Sequence, residues 1–220
     1  MLSIWIGRAG SGKSARVLET IQRERENRSQ LLLVPEHTSH EAELDLCRFC
    51  GPTACRSAEV LTFQSLATRV LGETGGLADV TLDNGGKLLT MRRCLQELHT
   101  QLKVFGRPSQ RSAFLHQLTT LADEFYAYQI APETLYRHVE DMEGAMGDKL
   151  RDVALIFAAY DARLRHGGTD TRSRVQKLHD SLPQSHYLDG KDLYLDGFSF
   201  FNKQEESVLA LALRRCASVT

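Results

Sequence analysis

Short apolar runs and longer apolar stripes at helical spacing succeed each other along this chain. Near the N-terminus Ile4-Trp5-Ile6 is one such run, followed by Ala15, Leu18 and Ile21 at steps of three. The run predicts a short buried strand. The stripe predicts a helix reaching about Asn27, its outer face solvated by Arg23, Glu24, Arg25 and Glu26. Leu31-Leu32-Leu33-Val34, stopped by Pro35, fits a fully buried parallel strand. Thr38 or Ser39 then caps a second helix, with Glu41 and Glu43 in the first turn where the helix dipole favours acids. Val60-Leu61 is a third strand. Thr62 caps a third helix carrying Phe63, Leu66 and Val70, ended by Gly72 and Gly75-Gly76. Three strand–helix alternations predict an α/β domain with a doubly wound parallel sheet.

The pattern then changes. Leu88, Met91, Leu95, Leu98, Leu102 and Phe105 alternate steps of three and four from Lys87 to Phe105, an amphipathic helix broken at Arg107-Pro108-Ser109. A second stripe runs through Phe114, Leu118, Leu121, Phe125 and Tyr128, and Pro132 opens a third with Leu135, Val139 and Met142 inside. Asp148 is the expected cap of a fourth, lined by Leu150, Val153, Phe157, Tyr160 and Leu164 and closed by Gly167-Gly168; a fifth, around Val175, Leu178 and Leu182, stops at Pro183. Strand character returns at Leu193-Tyr194-Leu195, a helix follows from Gln204 to Cys216, and the last residues resemble a strand cut short. The expected organisation is a first piece of the α/β core over 1–76, an all-helical insertion over 77–185, and a return to the core over 186–220, as in a fragment of a longer protein.

Candidate chemistry sits where the first predicted strand meets the first helix. Gly7-Arg8-Ala9-Gly10-Ser11-Gly12-Lys13-Ser14 has the full phosphate-loop pattern. Glycines let backbone N–H groups close around phosphate oxygens, and the helix directs its positive end at the anion. Lys13 is placed to reach the β- and γ-phosphates and the Ser14 hydroxyl to ligate Mg²⁺. The bland alternative is a glycine-rich strand-to-helix turn with a solvated lysine. A nucleotide-hydrolysing site also needs an acid at a second strand end, and Asp196 is the candidate, with a turn aspartate as its alternative. The next residue is Gly197, where motor enzymes carry a water-activating glutamate; losing a general base costs about 10²–10⁴ in rate, unless Glu205 or Glu206 substitutes.

Composition narrows this only a little. Hydrophobic content of 42% and charge of 25% are ordinary for a soluble globular chain, and a net charge of −1 advertises no global affinity for nucleic acid. There is neither a secretory leader pattern nor a membrane-length apolar run, so the expected location is the cytoplasm. Five cysteines, an odd number, point to thiols and not a disulfide framework. Cys47, Cys50 and Cys55 have half of a metal-site spacing, but Leu44, Cys47 and Cys50 also share one side of a helix.

Four segments occur in a telling order: the phosphate loop, Leu33-Val34-Pro35-Glu36-His37, Thr62-Phe63-Gln64-Ser65-Leu66, and Leu193-Tyr194-Leu195-Asp196-Gly197-Phe198-Ser199-Phe200-Phe201. Together they resemble the N-terminal part of the AddB component of the AddAB ATP-dependent helicase–deoxyribonuclease, with His37 where that family usually has glutamine. The resemblance implies a P-loop NTPase fold of the superfamily 1 helicase type and ATP with Mg²⁺ as cofactors. It implies work on double-strand breaks in recombination, and an A subunit that supplies the main motor. Single-stranded DNA and duplex ends are the implied nucleic-acid partners, with Thr62, Phe63 and Gln64 as contacts. The alternative for Phe63 is a place in the core. Lys103, Arg107, Arg111, Arg172, Arg174 and Lys177 are further basic positions able to track phosphates, or simply to solvate helix faces. The family's nuclease and iron–sulfur cluster belong to its C-terminal region, so Cys47, Cys50 and Cys55 do not inherit that role. Two other readings stay open: a small P-loop phosphotransferase with the helical block as a lid, and a non-catalytic ATP-binding scaffold.

Overall fold

The computed structural model describes residues 1–51, 56, 58–77, 82–106, 112–166 and 173–220. The breaks expected at Arg107-Pro108-Ser109 and Gly167-Gly168, and the candidates Cys55, Arg107, Arg111 and Arg172, lie outside them. The chain divides into two compact units, Met1–Leu77 with Arg174–Thr220, and Ala78–Ser173. No helix among the described residues is long and apolar enough to cross a membrane.

The first unit is a parallel sheet flanked by helices. Its elements are α1 (Lys13–Glu24), β1 (Gln30–Leu33), α2 (Ser39–Cys50), β2 (Ala58–Leu61), α3 (Phe63–Thr74), α8 (Arg174–Ser181), β3 (Asp192–Leu195), α9 (Lys203–Arg215) and β4 (Ser218–Val219). The four strands lie in the order β2-β1-β3-β4. All of β1 is buried, as its unbroken apolar run requires, with Leu31 and Leu33 on one face and Leu32 on the other. The Thr62 hydroxyl accepts the Ser65 N–H (3.2 Å) while the Ser65 hydroxyl accepts the Thr62 N–H (2.7 Å), a reciprocal cap for α3. Asn202 and Glu205 cap α9 in the same way.

Three expectations for this unit need adjustment. Ile4-Trp5-Ile6 is not a buried strand: Ile4 and Ile6 are 73% and 95% exposed. Parallel pairing beside β4 involves Met1 to Ser3, with a bridge from Leu2 to Val219. Thr38 occupies the N-cap of α2, as one of the two candidates, but its hydroxyl makes no capping bond. A 3₁₀ turn over Glu36–Thr38 precedes the helix, and the Thr38 hydroxyl donates to the Pro35 carbonyl (3.0 Å). Helix α8, the last stripe of the helical block, buries Val175 and Leu178, and the 3₁₀ turn after it buries Leu182, in the same core as α3 and the sheet.

The second unit is helical: α4 (Asn84–Leu98), α5 (Ser112–Ala127), α6 (Pro132–Val139) and α7 (Gly144–His166). Pro132 begins α6 as expected. Helix α4 stops at Leu98, seven residues short of Phe105. The N–H groups of Lys103, Val104 and Phe105 donate instead to the buried Asp152 carboxylate (3.0, 2.7 and 2.9 Å). Leu102 and Phe105 still pack into the core. Asp148 is not a cap, because α7 begins at Gly144 through a left-handed φ of +79°. The Asp148 carboxylate pairs with Lys103 (2.9 Å) and Arg151 (2.8 Å), and the Lys103 hydrogen bond holds its pKa below the usual carboxylate value.

Candidate functional site

The phosphate-loop residues form an exposed bend that leads directly into α1. Gly10 and Gly12 have φ of +73° and +81°, a region that side chains disfavour, and Gly12 occupies the N-cap of α1. A Cβ at Gly7 would lie 2.5 Å from Ser11 Oγ, so a larger residue there would displace that hydroxyl. The Lys13 ammonium is held inside the bend, donating to the Gly7 and Arg8 carbonyls (both 2.9 Å) and lying 3.5 Å from Ser11 Oγ. The first N–H groups of a helix have no intrahelical partner, so α1 offers donors at the mouth of this loop. The loop thus brings the Lys13 ammonium and the N-terminal end of α1 together in one exposed bend.

Ser14 and Asp196, far apart in sequence, line one cleft of ≈ 270 Å³. Thr38, Glu41, Asp45 and Gly197 are also in its wall. Hydroxyl and carboxylate oxygens are the hard donors that Mg²⁺ prefers, so the donor set fits the ion. Asp196 is fixed at the end of β3 by its N–H, which donates to the Leu33 carbonyl (3.1 Å). The cleft opens at the carboxyl ends of β1 and β3. The connection after β1 leads outward to β2 and the one after β3 leads to β4 on the other side, so the strand order reverses here. Open parallel sheets bind ligands at such reversals.

A second cleft, of ≈ 560 Å³, lies beyond Pro35 and Gly197. Its wall includes His37, Phe63, Gln64, Phe198, Phe200 and Asn202. Phe63 is buried and meets Phe198 and Phe201 edge-on, at centroid distances of 5.8 and 6.4 Å. The buried Thr62 hydroxyl is engaged in its cap. Gln64 is exposed, and so is Phe200, at 71%. Phe200 escaped the sequence reading, although Phe198-Ser199-Phe200-Phe201 holds more aromatics than one helix start can bury.

Glu205 and Glu206 do not join the Ser14–Asp196 cleft. Glu205 accepts the Asn202 N–H (2.9 Å) and lines the second cleft, while Glu206 pairs with Lys203 (3.1 Å) on the surface. Cys47 is exposed and Cys50 is buried in the α1–α2 core, its thiol 3.7 Å from the Leu18 carbonyl. Among the described residues no group of three or more His, Cys, Asp or Glu is arranged to hold a metal by itself.

The family model described as ADDB, N-terminal, matches residues 4–220. Curated relatives, each named as the B component of an ATP-dependent helicase/deoxyribonuclease, match along nearly the whole chain. One from Geobacillus thermodenitrificans is 34% identical over 100% of this chain and 20% of its own length. One from Clostridium tetani is 33% identical over 97% of this chain and 19% of its own. One from Desulforamulus reducens is 35% identical over 93% of this chain and 18% of its own. The chain thus spans about a fifth of the length of the curated relatives it matches. A match covering residues 4–220 places the chain in the AddB N-terminal family.

Proposed function

We propose that this chain is the ATP-holding, helicase-like N-terminal part of a helicase–nuclease subunit that acts in the cytoplasm on double-strand DNA breaks during recombination. The observation that carries the reading is the shared cleft of Ser14 and Asp196 at the reversal of strand order. On this reading the fold is that of a P-loop NTPase of the superfamily 1 helicase type. The loop Gly7–Ser14 holds the phosphates and Lys13 turns from its loop carbonyls to the β- and γ-oxygens. Ser14 and Asp196 hold Mg²⁺. Gly197 carries no acid and Glu205 and Glu206 stand outside the cleft, whose wall holds the carboxylates of Glu41 and Asp45.

DNA contact belongs to the second cleft. Gln64 and Phe200 present an amide and an exposed ring at its rim, and bases stack on such rings at about 1–3 kcal/mol each. Phe63 supports that surface from beneath through Phe198. The partner is a motor A subunit, and the deoxyribonuclease activity named for the relatives belongs to sequence outside this fifth of their length. Family membership favours this reading over a small-molecule phosphotransferase.

Trp5, the single tryptophan, lies two residues before the loop with the Arg16 guanidinium 4.8 Å from its ring centre. Its fluorescence reports nucleotide binding directly. Titration with ATP and Mg²⁺ is expected to saturate, and Lys13→Ala to weaken binding at least about tenfold through the lost charge-assisted bonds. Unchanged affinity in Lys13→Ala refutes the assignment.

A further inference from the structure

Asp196, Gly197 and Phe198 are consecutive residues with different surroundings. Asp196 lines the Ser14 cleft, Phe198 lines the aromatic cleft, and Gly197 lines both. The chain turns between the clefts in the left-handed region, at φ +81°. Both sides of the turn are pinned. The Asp196 N–H is bonded to Leu33, and the Phe198 ring packs against Phe63 and Phe201, at 5.8 and 4.8 Å between centroids.

Space at Gly197 is restricted as well. A Cβ there would lie 3.3 Å from Pro35 Cδ and 3.7 Å from Pro35 Cγ, with Thr38 Oγ1 at 3.9 Å. Pro35 follows β1 by one residue, Val34, whose N–H donates to the Leu61 carbonyl (2.9 Å), and the Pro35 carbonyl accepts the Thr38 hydroxyl and the Thr38 N–H (3.0 and 3.1 Å), so the ring has little room to retreat. An L-residue at this position thus meets a disfavoured φ and a rigid neighbour together.

We propose that Gly197 is a positioning residue for both clefts: its left-handed turn sets Asp196 toward Ser14 and Phe198 toward Phe63, and a glutamate restored at this position neither fits nor makes the site hydrolyse. This rests on the nucleotide reading above and deepens it. The missing acid is then a property of the backbone, and a single substitution does not return it. The turn also ties the two ligands together, so a change at 197 disturbs nucleotide and single-stranded DNA binding in parallel.

The test compares Gly197→Glu with Gly197→Asn, asparagine being the side chain that best tolerates the left-handed region. Melting temperature, ATP affinity by Trp5 fluorescence, affinity for a fluorescein-labelled oligothymidine, and DNA-stimulated ATP hydrolysis are measured on each. Gly197→Glu is expected to melt below the wild type, to weaken ATP and oligothymidine binding each by about tenfold, and to add no hydrolysis. Gly197→Asn is expected to recover both affinities to within about threefold of the wild type. Wild-type melting of Gly197→Glu, a gain in hydrolysis, a loss in only one of the two affinities, or equal losses in both variants overturns the proposal. The Lys13→Ala titration is scored separately: a loop that does not bind nucleotide refutes the site assignment and leaves the melting and oligothymidine comparisons to judge Gly197.

Discussion

At the scale of single residues, most of the local chemistry satisfies backbone groups or excludes water, and a few positions are left for ligands. Thr62 shows the first role. Its hydroxyl and that of Ser65 satisfy N–H groups that α3 would otherwise leave unpaired. Thr62→Ala is expected to lower stability by about 1 kcal/mol in a denaturant titration. The cysteines show the second. Burial pushes the Cys216 thiol up to about 11, and burial also raises Cys50 and Cys94, whereas Cys47 is exposed. Thiolate is the reactive form, so iodoacetamide at neutral pH is expected to modify Cys47 and spare Cys50, Cys94 and Cys216, as peptide mass analysis of the folded protein would read. Residue types single out Gly7–Ser14 and Asp196 as candidates because that chemistry admits few alternatives. They did not separate Phe63 from Phe200, since an aromatic beside a polar segment serves equally well as core or as platform until its neighbours are known.

At the scale of elements, periodicity located the helices well and their ends less well. Val153, Phe157, Tyr160 and Leu164 of the stripe expected in α7 are buried, whereas α5 buries Leu115, Leu118 and Ala122 and leaves Tyr128, expected on its inner side, 51% exposed. The ends depend on groups distant in sequence. Asp152 draws three N–H groups away from the end of α4, and Gly144 starts α7 where a capping aspartate was expected. Ile4-Trp5-Ile6 forms no strand, although Trp5 packs against the cluster of Val17, Leu32 and Tyr194. Helix α8 belongs to the sheet unit through side chains such as Leu178, 0% exposed. Leu178→Ala is expected to cost about 2–5 kcal/mol of stability, measured by thermal or urea unfolding. A loss under about 1 kcal/mol would mean that α8 packs far less tightly than the structure shows.

At the scale of the molecule, strand–helix alternation made a parallel sheet legible, but its order was not. The third strand in the chain inserts between β1 and β4, and that insertion brings Asp196 to the same cleft as Ser14. Local pattern carries no information about which strands become neighbours; long-range pairing decides it. Residues Ala78–Ser173 form a compact unit of their own, whereas the helical stripes read from the sequence run on to residue 185. One arrangement then accounts for the candidate site: a phosphate loop opening α1, an acid closing β3, and a glycine turn dividing their cleft from an aromatic one.

The central claim is that Ser14 and Asp196 hold one metal–nucleotide complex. Calorimetric titration of ATP with and without Mg²⁺, in the wild type and in Asp196→Asn, tests it most directly. The wild type is expected to gain about tenfold or more in affinity from Mg²⁺, while Asp196→Asn keeps the metal-free affinity and loses most of that gain. A full Mg²⁺ gain retained in Asp196→Asn would contradict the account.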